Sequence, residues 1–95
     1  MDELYQGFDG VDEAWIRREK ARARELRKSS WWRQKLARGI CHYCGGRFPP
    51  EELTMDHVVP LVRGGRSSKN NLVPCCKTCN NEKQSRLLQE WEGYQ

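Results

Sequence analysis

No run of about 18 apolar residues occurs anywhere in the 95-residue chain, so a membrane-spanning helix is excluded. The opening residues, Met1 to Gly10, are acidic and polar and lack the apolar stretch of a secretory signal, which points to a cytoplasmic protein. Internal repeats, proline-rich linkers and low-complexity tracts are also missing. Apolar residues are scarce, at 37% against 32% charged, with a mean hydropathy of -0.94. Two separate cores do not fit in 11.2 kDa. A single core this small is marginal and needs a staple, such as a disulfide, a metal or a partner. Five cysteines are available to supply one.

The net charge of +4 conceals an uneven distribution. Residues 1–14 carry five acids and no Lys or Arg. Residues 15–40 carry ten basic residues against Glu19 and Glu25, and residues 41–95 are nearly balanced. The central block, which includes Arg22, Arg24, Arg27 and Lys28, is a candidate footprint for nucleic acid. A solvated helix face is the plainer reading of the same run.

Asp12 is a plausible helix N-cap, and AWIRREKARARELRK after it is rich in strong helix formers. Trp15, Ile16, Ala23 and Leu26 are its only candidates for burial. Ser29 and Ser30 can cap a second helix, WWRQKLAR, that ends at Gly39, although one continuous helix is equally compatible. Trp31 and Trp32 fit packing better than base stacking, since a small core needs large aromatics. After Gly39 the pattern predicts a tight turn at Cys41–Gly46, a strand over 53–59, a loop at Gly64-Gly65, a short strand at 71–73 and a helix from Lys77 through Glu92. The inner face of that last helix takes Cys79, Leu87, Leu88 and Trp91. The expected division is a flexible acidic stretch 1–11, a basic helical extension 12–38, and a zinc-bearing domain 39–95.

Cys41-x-x-Cys44 and Cys76-x-x-Cys79 are two C-x₂-C pairs. Two residues between thiolates let one turn aim both sulfurs at a single ion, and two such turns complete a tetrahedral shell suited to zinc. The odd cysteine count argues against a disulfide framework. Cys75 is expected to be a buried thiol outside the shell, and His42 a bystander because four thiolates already fill it. Asp56 and His57 are adjacent on the first strand. A regular strand sends neighbours to opposite faces, whereas a bend or bulge would bring both to one pocket.

The strings CHYCGGRF, LTMDHVVPLVRGG and NNLVPCCKTCNNEK together resemble the HNH endonuclease family over residues 41–86. The resemblance implies an α+β fold: a small ββα-metal core with a Cys₄ structural zinc at Cys41, Cys44, Cys76 and Cys79, here preceded by the basic helical segment. It further implies His57 as general base, Asp56 as a ligand of the catalytic metal, and Asn71 as the middle motif residue. The third motif position is Asn80, with Asn81 one residue away. The implied cofactors are structural Zn²⁺ and catalytic Mg²⁺ or Mn²⁺, and the implied partner is DNA, cut by phosphodiester hydrolysis; one active site per chain predicts nicking of one strand per site, and a dimer could cut both.

These side chains suit that chemistry. A neutral imidazole titrates near physiological pH and can accept a proton from water. One carboxylate and one amide oxygen leave room for waters and phosphate oxygens around a hard cation. Arg63, Arg66, Lys83 and Arg86 are further candidate phosphate contacts, with Lys83 first among them. A zinc-knuckle module that binds nucleic acid without catalysis is the alternative, and a zinc-stapled protein-interaction domain a third. Neither needs Asp, His and Asn at the three motif positions. The sequence leaves monomer and homodimer equally open.

Overall fold

The computed structural model describes residues 12–91; the expected flexible stretch 1–11 lies outside the described residues. Helix α1 spans Glu13–Arg27. It begins where expected, with the Asp12 carboxylate accepting from the Trp15 N–H at 2.8 Å. Its buried residues are Ala23 and, against expectation, Glu19, while Trp15, Ile16 and Leu26 are half-buried.

The basic segment is two helices, not one. Ser29 makes the break: its hydroxyl donates to the Leu26 carbonyl at 2.6 Å and accepts from the Trp32 N–H at 3.2 Å. One side chain therefore closes α1 and opens α2, Ser30–Ala37, a cap of the kind that contributes about 1 kcal/mol. Trp32 is buried, as packing requires. Gly39 then takes the left-handed φ of 67°, and a Cβ there would lie 2.8 Å from the Phe48 carbonyl oxygen. Glycine is needed at that position on both counts.

Two antiparallel strands follow, β1 at Leu53–His57 and β2 at Leu72–Cys76. The register pairs Asp56 with Val73 and His57 with Leu72. β1 is shorter than expected because the Val59 N–H turns to the Asn71 side chain, at 2.9 Å, instead of a backbone carbonyl. β2 is longer than expected and runs through Pro74. Proline is tolerated because the outer edge of a two-stranded sheet needs no donor there. The Pro74 carbonyl meanwhile accepts from the His42 N–H at 2.9 Å.

Helix α3 covers only Lys77–Lys83. The expected continuation through Trp91 fails at Gln84, whose φ of 50° turns the chain back. A 3₁₀ turn at Leu88–Glu90 follows. The reversal returns Leu88 and Trp91 to the cysteines, with Trp91 edge-on to Tyr43 at 5.2 Å. A straight helix would carry both away. The central core is thus Cys41, Leu53, Cys75, Cys76, Cys79 and Trp91, packed by Leu36, Tyr43, Phe48 and Leu88. Among the described residues, no helix is long and apolar enough to cross a membrane.

Candidate metal centre and catalytic strand

The sulfurs of Cys41, Cys44, Cys76 and Cys79 all lie within 4.8 Å of one another. A tetrahedral zinc with Zn–S near 2.3 Å puts its sulfurs roughly 3.8 Å apart, so the cluster can close on such an ion with small movements. All five cysteines are free thiols. Backbone N–H groups already point at the cluster: Gly46 to Cys44 Sγ at 3.4 Å, Cys76 to Cys41 Sγ at 3.4 Å, and Cys79 to Cys76 Sγ at 3.5 Å. Such donors favour the thiolate, which is the form that binds metal. At Cys41, burial pushes the pKa up, but hydrogen bonds from the Cys44 and Cys76 backbones outweigh it and bring the value to about 7. These four cysteines can hold a metal ion, and an all-sulfur donor set is consistent with zinc.

Cys75 behaves as expected of a bystander. Burial pushes its thiol up to about 12, and its Sγ donates to the Cys76 carbonyl at 3.3 Å. His42 is exposed and its ring stands edge-on to Tyr43, so the four sulfurs cluster without it.

The ladder between β1 and β2 is unbroken through Asp56 and His57, so the two side chains leave the strand in opposite directions. The bulge that would gather them into one pocket is absent from the strand pairing. Asp56 reaches the α3 side, where its Oδ2 accepts from the Tyr43 hydroxyl at 2.6 Å and pairs with Lys83 Nζ at 3.2 Å. Lys83 was expected at the DNA surface. Instead its side chain is fully buried, and its ammonium also donates to the His57 carbonyl at 3.1 Å.

His57 points the other way, with Nε2 2.9 Å from the Ser67 hydroxyl. Burial is the largest influence on its imidazole and lowers the pKa below the ordinary 6.5; Asp56 opposes this, while Arg27 lowers it further. The balance favours the neutral ring.

Asn71 does not touch the His57 ring. Its amide clasps the loop between the strands, donating to the Val59 carbonyl at 3.0 Å and the Arg66 carbonyl at 2.8 Å while accepting from the Val59 N–H. Asn80 is half-buried and lies three residues before Lys83 on α3, whereas Asn81 is exposed.

The remaining basic candidates all lie at the surface, and several have partners there: Lys28 Nζ is 4.0 Å from Glu25 Oε2 and Arg27 donates to Met55 Sδ at 3.9 Å. Arg22, Arg24, Arg27, Lys28 and Arg66 are exposed. Arg63 is engaged by Glu90 through two contacts of 2.9 and 2.8 Å, and Arg86 donates to the Glu82 carbonyl.

Sequence reasoning missed three residues: Ser67, Glu19 and Tyr43. The signal for Glu19 was there, as one of two acids in a block of ten bases. Ser67 had none.

The model of the family described as HNH endonuclease matches residues 41–86. Among known proteins, the chain is similar to the type IV methyl-directed restriction enzyme EcoKMcrA of Escherichia coli (strain K12), with 33% identity over 57 residues. The alignment covers 54% of this chain and 21% of that protein, so the chain spans about a fifth of its relative. The match and the relative support a nuclease or DNA-binding role.

Proposed function

With residues 41–86 matching the HNH endonuclease family, we propose that this protein is a metal-dependent DNA endonuclease that nicks duplex DNA by hydrolysing phosphodiester bonds. The observation that carries the reading is a half-buried imidazole, held at 2.9 Å by Ser67, that directly follows a carboxylate on a strand paired to the cysteine-bearing β2. A scissile phosphate at the C-terminal end of β1 would be reached from both faces of the strand. His57 takes a proton from water there, a contribution of about 10²–10⁴ in rate. A divalent ion such as Mg²⁺ or Mn²⁺, held through Asp56 and Asn80, would add positive charge beside the phosphate and the leaving oxygen.

Both contacts to Asp56 fall on Oδ2, so Oδ1 is the oxygen offered to that ion. Zinc on Cys41, Cys44, Cys76 and Cys79 holds the fold and takes no part in the reaction. Asn71 acts by fixing the loop 58–66 beside His57. The exposed cations Arg22, Arg24, Arg27 and Lys28 on and just after α1, with Arg66, track the DNA backbone.

One observation favours a second reading. The Asp56 carboxylate already has an ammonium partner in Lys83, which competes with a metal ion for that carboxylate and so favours a module that binds DNA without cutting it. The two readings separate on supercoiled plasmid. Zinc-loaded protein with Mg²⁺ or Mn²⁺ should give open circles, protein without added divalent ion should not, and His57→Ala should be slower by at least about 100-fold. Equal nicking by His57→Ala, or none by the unaltered protein, would leave only the binding module.

A further inference from the structure

We propose that Ser67 and Glu19 are positioning residues that hold His57 as its Nε2–H tautomer, leaving Nδ1 as the atom that accepts the proton from water. This rests on the reading of His57 as the base. Ser67 Oγ carries one proton and has two close neighbours. One is the Glu19 carbonyl oxygen at 2.6 Å, an atom that can only accept. The other is His57 Nε2 at 2.9 Å.

If the hydroxyl proton went to His57, two oxygens would face each other at 2.6 Å with nothing between them. The arrangement with a proton in both contacts has Ser67 donating to Glu19 and the ring donating Nε2–H to Ser67. Nδ1 then keeps its lone pair, and among the described residues nothing hydrogen-bonds to it.

Ser67 is held for this task from a second direction. Its backbone N–H donates to Glu19 Oε1 at 2.7 Å, so a single α1 residue grips Ser67 by both its carbonyl and its carboxylate. Ser67 and Glu19 are 2% and 5% exposed, which keeps water from replacing either contact.

In the reaction, water gives its proton to Nδ1 while its oxygen forms the new bond to phosphorus. The bond from phosphorus to the 3′-oxygen breaks, and that oxygen leaves with a proton from solvent. The imidazolium keeps its Nε2–H on Ser67 throughout. Glu19 lies outside residues 41–86, so the basic helix is part of the base's setting as well as a face for DNA.

The tautomer can be read without DNA. Long-range ¹H–¹⁵N correlations of the full-length, zinc-loaded protein at pH 8 should show His57 as Nε2–H alone, with His57→Ala used to assign its signals apart from His42. Ser67→Ala should give a mixture of tautomers, and Ser67→Thr should restore one. On plasmid, Ser67→Ala should lower kcat about tenfold with KM unchanged, and Ser67→Thr should recover it. An Nδ1–H ring in the unaltered protein overturns the inference even if Ser67→Ala cannot fold. The same tautomer population in Ser67→Ala and the unaltered protein also overturns it. An Nε2–H ring in a protein that never nicks DNA supports the positioning and removes the nuclease reading instead.

Discussion

Lys83 Nζ lies 3.2 Å from Asp56 Oδ2 with its side chain wholly buried, so helix and strand are joined at the candidate site by an ion pair shielded from water. Removing one partner of such a pair strands the other charge, a loss of about 3–5 kcal/mol when both are buried. Asp56 is 11% exposed, which places the cost at the lower end. Lys83→Met and Asp56→Asn should each lower stability by about 3 kcal/mol in urea denaturation, and the double variant should lose less than the two losses added. Single losses under about 0.5 kcal/mol would mean the pair contributes nothing beyond a surface contact.

The sulfur cluster predicts metal content. The purified protein should carry one zinc per chain by elemental analysis. Cys41→Ser should lose it and Cys75→Ser should retain it. A chelator strong enough to remove the ion should also abolish the amide protection of β2 and α3, because binding free energy and folding free energy are here the same quantity. Zinc loss from Cys75→Ser would contradict the four-sulfur assignment.

The pH dependence of nicking has a definite sign. His57 acts as a base only when neutral, so activity rises with pH through its pKa and then levels. Burial has already lowered that pKa below 6.5, and a bound cation would lower it further. The acid limb of the kcat profile should therefore sit below about 6.5, the ordinary histidine value. A limb at 7 or above would assign the titration to another group.

Replacing Arg22, Arg24, Arg27 and Lys28 together by Gln should weaken DNA binding without touching the cysteine cluster. If each meets one phosphate, the slope of log affinity against log salt should flatten by roughly 0.9 per contact. An unchanged slope would make α1 a scaffold rather than a DNA face.

What could be read in advance followed short-range rules. The caps at Asp12 and Ser29, the turn at Gly39 and the pairing of cysteines with two residues between them all depend on a few neighbouring residues. The losses came where distant residues decide. Helical propensity from Lys77 onward was overruled by the return of Trp91 to the core, and Pro74 disguised the length of β2. Ser67 and Glu19 are 48 residues apart in sequence, and no local pattern links them. At the site, Asp56 and His57 were identifiable by type and position. Lys83 was legible as a cation but not as a buried one, because burial was decided by its partners and not by its own side chain.

Three of the six residues in the central core, Cys41, Cys76 and Cys79, are also members of the sulfur cluster, and Cys41 and Cys76 meet across 35 positions of chain. That has a consequence for the order of folding. Each C-x₂-C turn needs only local motion and can form within microseconds, while bringing the two turns together requires closing the long loop between them. With zinc as the agent that joins them, an ion captured by one turn waits for the other. Refolding should then speed up with free zinc until loop closure becomes limiting. The refolding rate at that plateau would measure how fast the intervening strands find their register.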